Sequence, residues 1–245
     1  LVSGSIFSAV AGGIYPPREG VDIPQAYFDR IAEDHTAFEL QRSYIKTVER
    51  IKRNREEVQR GIMTLDEAQS LGGIAVSGTR DIPVLTGKYA NTGADPYPVA
   101  NLQTELFDGP WTTGTMQDYY HEISYNNLTV DGTVFNWFTV SNNDTYYEGG
   151  CNGLCSFAKT GEFLRELLDG NDGAVNFGLY DNDGPDGIPN SGDDDGYVDF
   201  VAFVHPEIGG ECGNSNIWSH SWVYTGWWGT AYTTNDPAAG GGFIK

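Results

Sequence analysis

The sequence predicts an α/β (α+β) domain with a mixed sheet, preceded by a helical segment. The first observation is size, because 245 residues with 39% hydrophobic side chains suit one domain of about 150 residues and an appendage. The second is periodicity, which is helical at first and then changes to apolar, strand-like runs separated by shorter helices. The third is charge, which differs between the two regions. We therefore expect a helical region over residues 1–78 and the α/β domain over residues 79–245.

The charge of the chain excludes nucleic acid as a partner. Fourteen Lys and Arg against 34 Asp and Glu give a formal net charge of -20, which repels a phosphate backbone. Residues 1–80 hold ten basic and eleven acidic side chains, whereas residues 81–245 hold four and 23. No run of about 18 apolar residues occurs, so the sequence predicts no membrane-spanning helix.

Two capping patterns organise the helical region. Thr36 and Glu39 match a capping box, in which each side chain accepts a hydrogen bond from a free amide at the start of a helix. Apolar residues then recur at three-, four- or seven-residue steps, as on one helical face. Thr64 and Glu67 match a second box, which predicts a short helix. A flexible linker is expected over residues 72–80.

The second region mixes strands and helices. Its first predicted strand is the apolar run 82–85, and the clearest strand is 197–204, whose nearly continuous apolar character suits a central position. The Asp131-Gly132 pair favours a tight turn and predicts a hairpin over residues 126–140. Helical periodicity predicts further helices at residues 99–107, 116–123 and 157–168.

An aspartate-dense loop is the strongest local signal for a binding site. Residues 181–196 read DNDGPDGIPNSGDDDG. Carboxylates at alternate positions, separated by glycines, let a short loop wrap a hard cation such as calcium. The loop is not an EF-hand, because Gly192 stands at its twelfth position, and a solvated acidic turn is the alternative interpretation. The expected calcium ligands are Asp181, Asp183, Asp186, Asp193, Asp195 and, from the following strand, Asp199.

The histidines do not complete a catalytic set. His121-Glu122 begins like the zinc-peptidase motif HExxH, but Tyr125 stands where the second histidine is required. His121 is therefore interpreted as a packing or surface residue. His205 and His220 are better placed for a cleft, although isolated histidines more often make structural hydrogen bonds. No catalytic side chain is assigned.

The cysteine count is odd. A disulfide between Cys151 and Cys155, formed in an oxidising compartment, is expected rather than a metal site, because two further soft ligands at suitable spacing are missing. Cys212 is then a free thiol or the partner of a cysteine outside these residues.

Five blocks of sequence, taken in order, carry a family resemblance. They are GTRDIPVL at residues 78–85, MQDYYHEISY at 116–125, GTVFNW at 132–137, the acidic loop with its strand, and NIWSHSW at 216–222. In this order and span they resemble the immune inhibitor A family of secreted zinc metallopeptidases. The resemblance runs through most of the chain, and the amino-terminal helices are its least specific part.

The resemblance implies a secreted precursor in which a helical pro-region precedes a peptidase-like domain that holds zinc and a structural calcium ion. Residues 1–78 then look like the pro-region and its linker, and residues 79–245 like the amino-terminal part of the catalytic domain. The family's HExxH motif is expected beyond residue 245, so no zinc ligand or catalytic base is carried over to this chain. The implied function is hydrolysis of peptide bonds. The implied partners are a protein or peptide substrate and the carboxy-terminal remainder of the same enzyme.

Two further expectations follow. The pro-region is expected to screen the cleft until proteolysis near residues 72–80. The alternative function is non-catalytic, in which a secreted, calcium-stabilised adhesion or assembly module keeps a peptidase-like scaffold, since a fold by itself does not fix function.

Overall fold

The structure, a computed structural model, describes residues 13–39 and 43–245. These residues form two compact units that interleave along the chain. The first unit contains the described residues up to 39 with 144–161 and 207–230, and the second contains residues 43–143, 162–206 and 231–245. The units reflect packing, whereas the expected boundary after residue 78 concerns processing and stays a prediction.

Six strands and eight α-helices lie in the described part of the chain. The strands are β1 (Gly13–Ile14), β2 (Gly78–Lys88), β3 (Leu128–Val134), β4 (Phe138–Thr139), β5 (Ala202–Val204) and β6 (His220–Ser221). The helices are α1 (Gln25–Glu33), α2 (Ser43–Gln59), α3 (Leu65–Ser70), α4 (Val99–Gln103), α5 (Met116–Ile123), α6 (Asp144–Glu148), α7 (Thr160–Asn171) and α8 (Tyr224–Trp228). A π-helical turn, Thr104–Asp108, continues α4, and short 3-10 turns occur at Phe177–Tyr180 and Gly210–Cys212.

The second unit is built on a parallel sheet centred on β2. Strands β3, β4 and β5 each pair with β2 in parallel. Because Val84 is in register with both Val134 of β3 and Ala202 of β5, those two strands flank β2 on opposite sides. Parallel neighbours need crossover connections, and helices lie between β2 and β3 and between β4 and β5, whereas β4 follows β3 after three residues. The combination of helices and sheet confirms the predicted α/β (α+β) class, and the strand expected at residues 82–85 is part of β2.

The core of the second unit joins the sheet to the helical segment that precedes β3. Val84, Val130 and Val134 pack with Leu102 and Phe107, and each of these side chains is at most 9% exposed. Complete burial of one such side chain is worth about 1.5–3 kcal/mol. This cluster therefore fixes β2. Strand β5, which pairs with β2, follows the acidic loop in the chain.

The hairpin predicted around Asp131-Gly132 is wrong, because both residues lie inside β3. Gly132 lies opposite Ile82 in the parallel register. A methyl group at Gly132 would overlap the carbonyl oxygen of Ile82 and the ring of Phe107. The glycine is therefore required for the close approach of β2 and the Phe107 ring, and not for a turn.

The strand predicted over residues 197–204 is shorter in the structure, where only Ala202–Val204 pairs with β2. The preceding amides are used elsewhere. The Val198 amide donates to the Lys245 carbonyl at 2.8 Å, and the Asp199 amide donates to the Tyr180 carbonyl at 2.9 Å. Residues 197–201 therefore anchor the acidic loop and the carboxy-terminal segment, and they do not extend the sheet.

Capping boxes start two of the helices. The Thr64 side chain accepts a hydrogen bond from the Glu67 amide, and the Glu67 carboxylate accepts one from the Thr64 amide, as predicted for α3. Thr115 and Asp118 form the same reciprocal pair at the start of α5. An N-cap of this kind stabilises a helix by about 1 kcal/mol. The capping pattern therefore locates α3 as predicted, and the box at Thr115 is an addition to the periodicity that predicts the helix over residues 116–123.

The capping box predicted at Thr36 and Glu39 is wrong. The Thr36 hydroxyl donates to Asp34 Oδ1 at 2.7 Å, and Phe38 has a left-handed backbone with φ 62. Phe38 is 3% exposed and packs with Trp218 in the core of the first unit. A left-handed residue cannot continue a right-handed helix, so burial of this ring overrides the local start signal. Helix α2 is described from Ser43 onward, and residues 40–42 lie outside the described residues.

The first unit ties its amino-terminal segment to residues 207–230. β1 and β6 form an antiparallel pair. The Tyr15 amide donates to the Ser219 carbonyl at 2.7 Å, and the buried Trp218 indole donates to the Tyr15 carbonyl at 2.7 Å. These bonds join positions about 200 residues apart in sequence, so this unit forms only when both segments are present.

The expectation about membrane spans is tested on the helices that the structure describes. The longest of them, α2, has 17 residues and is rich in charged side chains. Among the described helices, none has both the length and the apolar character that crossing a bilayer requires.

Candidate metal centre

The acidic loop is fixed at both ends beside the sheet. It begins at Asp181, immediately after the 3-10 turn that ends at Tyr180. It closes where the Asp199 amide donates to the Tyr180 carbonyl at 2.9 Å and the Asn182 amide donates to Asp199 Oδ2 at 3.0 Å. Because the two ends are joined by these bonds, the aspartates between them form a compact cluster.

Three carboxylates converge inside the loop. One oxygen from each of Asp181, Asp183 and Asp194 lies within 4.8 Å of the other two. Oxygens bound to one calcium ion lie at most about 5 Å apart, since each Ca–O distance is about 2.3–2.6 Å. These three residues, called the aspartate trio below, therefore have the spacing of ligands to one cation. Within the described residues they are the one group of three or more His, Cys, Asp or Glu side chains with such spacing.

Asp181 is the buried member of the aspartate trio. Its side chain is 1% exposed, its Oδ2 accepts a hydrogen bond from the Gly196 amide at 3.1 Å, and its Oδ1 has no hydrogen-bond partner. The side-chain oxygen of Asn182 next to it is also buried without a partner. A buried acceptor left unsatisfied costs about 1–3 kcal/mol, and more when it is charged. The geometry therefore favours a cation, or a proton, at Asp181 Oδ1.

Backbone amides orient the other two members. Asp194 accepts hydrogen bonds from the Gly184 amide and from the Ser191 amide, both at 2.7 Å. Asp183 Oδ1 accepts from the Asp195 amide at 3.3 Å. Amide donors stabilise ionised carboxylates, so these bonds preform the site with its negative charge in place.

The remaining predicted ligands shape the turns of the loop. Asp186 accepts from the Ile188 amide at 2.8 Å and Asp195 from the Tyr197 amide at 3.0 Å, whereas Asp193 takes a short hydrogen bond from the Ser191 hydroxyl. Asp199 holds the Asn182 amide, as described above. The structure places these four residues outside the aspartate trio, and their direct contact with an ion stays a prediction.

Asp194 belongs to the trio but was missed by the sequence reasoning. Alternation along the loop selected Asp193 and Asp195, because side chains two apart share a face in extended backbone. The segment after Gly192 is a turn, so Asp194 points inward while Asp193 and Asp195 are exposed. The run of three aspartates was the available signal, but the direction of the turn was not readable from it.

The carboxylates raise one another's proton affinity. Burial, followed by the charges of Asp194, Asp195 and Asp199, raises the pKa of Asp181 to about 7. Burial also raises the pKa of Asp199 to about 6, with the charge of Asp183 acting in the same direction. A cation in the cluster would reverse these repulsions. Near neutral pH, a metal ion that binds the loop can therefore replace protons on Asp181 and Asp199.

A pocket opens beside the aspartate trio. It has a volume of about 190 Å³ and is lined by Asp181, Asp194 and Asp195 on the loop and by residues 238–243 of the carboxy-terminal segment. The trio offers only carboxylate oxygens as metal ligands, and such ligands suit hard cations such as calcium better than zinc. The donor set, the unpartnered Asp181 oxygen and the access from solvent together fit a calcium ion.

The histidines take no part in a described metal cluster. His121 lies on α5 with its Nε2 3.1 Å from the Thr129 hydroxyl of β3, which agrees with a packing role. His220 in the first unit has its Nδ1 2.6 Å from the Trp218 carbonyl, and burial lowers its pKa. His205 follows β5 in the second unit, with its ring 6.2 Å from that of Tyr89.

Cys151 and Cys155 form a disulfide in the first unit, and Cys212 is an exposed free thiol. The bridge closes the turn that follows α6, in which the Leu154 amide donates to the Cys151 carbonyl at 3.1 Å. The expected pairing of these two cysteines is thus present in the structure.

A family model described as the catalytic domain of the immune inhibitor A peptidases, M6, matches residues 101–243, which is more than half of the chain. The matched range includes the acidic loop, β3 and β5.

Curated relatives agree with that match. Pre-pro-metalloprotease PrtV of Vibrio cholerae serotype O1, strain M66-2, is 30% identical over 153 residues, which are 56% of this chain and 17% of the relative. The protein of the same name from strain ATCC 39315 / El Tor Inaba N16961 gives the same values. Immune inhibitor A of Bacillus thuringiensis subsp. alesti is 29% identical over 123 residues, which are 44% of this chain and 18% of the relative. The matched stretch spans less than a fifth of each relative.

Proposed function

The chain belongs to the immune inhibitor A peptidase family, and we propose that it is the amino-terminal portion of a secreted, zinc-dependent endopeptidase. The observation that carries this proposal is the family match over residues 101–243, which makes this region a metallopeptidase-like domain. The Vibrio relative is a pre-pro-metalloprotease by name, which points in the same direction. The proposed substrates are proteins or peptides.

The zinc ligands are proposed to come from the remainder of the protein, beyond residue 245. The described residues contain no metal-ligating group that includes a histidine, so no residue of this chain is assigned to the zinc. When bound, zinc lowers the pKa of its water to near 7 and polarises the scissile carbonyl. This chain is proposed to supply the sheet and the acidic loop, and no catalytic step is assigned to its side chains.

The acidic loop is proposed to bind calcium as a structural ion. The aspartate trio supplies three oxygens, Asp181 Oδ1 is buried without a partner, and Asn182 offers a further unpaired oxygen. Calcium takes six to eight oxygen ligands, so water, backbone carbonyls or the remaining aspartates complete the shell. In this role the ion neutralises charge that otherwise destabilises the segment between the 3-10 turn and β5.

Calorimetric titration of the chelator-treated protein tests the calcium site. We expect binding of one ion per trio, weakened about tenfold or more by Asp194→Asn, because a charged ligand is lost. Asp66→Asn is the matched control, since it makes the same change on an exposed side chain of α3, outside the acidic loop. Absence of both heat and thermal stabilisation at millimolar calcium contradicts the proposal.

Secretion and a pro-region are further parts of the proposal. The Cys151–Cys155 disulfide supports an oxidising destination, because such bonds persist mainly outside the cytosol.

Residues 1–78 are proposed as the pro-region and linker. Residues 75–77 of the linker are exposed and lie outside any strand, which gives a protease access to them. Residues 78–80 belong to β2, so the linker is shorter than the predicted 72–80. The expected result of cleavage there is a gain of peptidase activity, measured before and after limited proteolysis of the full-length protein, and equal activities refute an inhibitory role.

Peptide hydrolysis itself is tested on the full-length protein. Digestion of a fluorescent casein, lost with a zinc chelator and restored by zinc, supports the endopeptidase. Calcium alone should not restore it. An activity that is insensitive to the zinc chelator contradicts the zinc assignment. No hydrolysis of any protein substrate by the processed, zinc-loaded protein would favour the non-catalytic adhesion or assembly module.

A further inference from the structure

Helix α2 contacts the acidic loop through one basic side chain. Arg50, on the helix, donates from Nη2 to the main-chain carbonyl of Asp183 at 3.1 Å. Asp183 is a member of the aspartate trio, so the guanidinium lies against the proposed cation site. Lys46, one turn earlier, lowers the pKa of Asp195 through its charge. Arg80 of β2 lowers the pKa values of Asp183 and Asp199 in the same way. For all three carboxyls burial has the larger effect and raises the pKa.

Arg50 is held by close packing. Gly72 lies so near that a methyl group there would come within 2.7 Å of Arg50 Nε, which is itself buried without a hydrogen-bond partner. The neighbouring turn is fastened to the same helix, because the buried Asn54 donates to the carbonyls of Leu71 and Gly73, both at 3.0 Å. The guanidinium therefore cannot leave the loop without movement of α2 or of this turn.

Neighbouring basic side chains offset part of the negative charge of the acidic loop. Burial and the charge of Asp194 raise the pKa of Asp183, whereas the Asp195 amide and the guanidinium groups of Arg50 and Arg80 lower it. Without a metal, Arg50 is thus one of few positive charges that offset this cluster. A divalent cation in the trio would add two positive charges to the same loop and would repel the guanidinium.

We propose that helix α2 and a divalent cation compete electrostatically for the acidic loop, so that cation binding at the trio weakens docking of the helix. The inference rests on the proposed cation site and adds a regulatory role to it. Coupling between two ligands of one site is reciprocal, so docking of α2 must lower cation affinity by the same factor. Where divalent cations are scarce the helix stays docked, and where they are plentiful its release after cleavage becomes easier.

Two measurements on the full-length protein test this coupling. Hydrogen exchange of α2 amides is compared in chelator and in millimolar calcium, and we expect exchange to be about fivefold faster with calcium. Calcium affinity is measured by calorimetry for Arg50→Gln, and we expect it to rise about fivefold as the repulsive charge is removed.

Matched variants separate charge from other effects. Arg50→Lys keeps the charge and should leave calcium affinity near that of the unaltered protein. Arg53→Gln removes the same charge from an exposed position on the same helix and should change affinity less than twofold. If Arg50→Gln does not fold, Lys46→Gln replaces it in the affinity measurement, because Lys46 lies on the same helix and its charge also acts on the loop, at Asp195.

The outcomes distinguish the two levels of the proposal. Faster exchange of α2 with calcium together with higher affinity in the charge-removing variant supports the competition. Calcium binding without either change, or with slower exchange of α2, overturns the competition and leaves the cation site intact. Absence of calcium binding overturns both.

Discussion

When metal is absent, Asp181 makes the stability of the folded protein depend on pH. In the unfolded chain its carboxyl ionises near the ordinary pKa of 3.8, whereas in the folded protein burial and neighbouring aspartates raise that pKa to about 7. Between these values the folded state holds a proton that the unfolded state has lost. The stability that this group contributes is therefore complete below pH 3.8 and is lost as the pH rises through 7.

The magnitude follows from the same two values. At 1.36 kcal/mol for each pH unit, the difference between 3.8 and about 7 gives about 4 kcal/mol as an upper bound. Because the carboxyl borders a pocket open to solvent, screening reduces the expected effect to about 2 kcal/mol. Asp199, with its pKa raised to about 6, acts in the same direction.

Urea unfolding of the Asp181→Asn variant is the assay. In chelator at pH 8 the variant should be about 2 kcal/mol more stable than the unaltered protein, because the buried charge is gone. In millimolar calcium the order should reverse, since the variant lacks a ligand and gains less from binding. Asp66→Asn, at an exposed position of α3 outside the loop, should shift neither condition by more than about 0.5 kcal/mol. A less stable Asp181→Asn protein in chelator at pH 8 would refute the reasoning.

Three other changes test the fold and the site assignments. Gly132→Ala should lower the free energy of unfolding in urea by more than about 2 kcal/mol, because its methyl group meets the Ile82 carbonyl and the Phe107 ring. Gly173→Ala has open space around it and should change that free energy by no more than about 0.5 kcal/mol. Equal effects of the two variants would contradict the packing of β2 against β3. Reduction of the Cys151–Cys155 bridge should lower stability by about 2 kcal/mol for so short a loop, and peptide mapping after alkylation without reductant should find Cys212 labelled and the other two protected. His121→Gln should leave the zinc content of the processed enzyme unchanged, as measured by atomic absorption, and loss of zinc would restore the partial HExxH motif as a metal site.

Local signals in the sequence were reliable where they act over one helical turn or one loop. The capping box at Thr64 appears in the structure as read, because its two hydrogen bonds involve residues only three apart. The disulfide between Cys151 and Cys155 and the clustering of aspartates in residues 181–199 are local in the same sense. The family resemblance, carried by blocks spread over residues 78–222, was confirmed by the match over residues 101–243.

Features that depend on distant partners were misread. Asp131-Gly132 has the composition of a turn, but the approach of Ile82 and Phe107 makes the glycine part of a strand. Thr36 has the composition of a helix cap, but burial of Phe38 beside Trp218, 180 positions later, sets a left-handed backbone there. In both places burial in the tertiary structure outweighs a local preference worth about 1 kcal/mol.

The sequence by itself determined that this chain carries an acidic, oxygen-rich loop in an α/β domain, because composition and short-range spacing are enough to specify both. The peptidase type followed from the resemblance carried by five sequence blocks in order. The tertiary structure alone decided which carboxylates converge, bringing Asp194 in place of its two neighbours and leaving one oxygen of Asp181 buried without a partner. It also decided that Arg50 meets this loop from a helix more than 130 residues away. The physical reason is that ligand geometry and charge coupling depend on distances in space, which the order of residues does not contain.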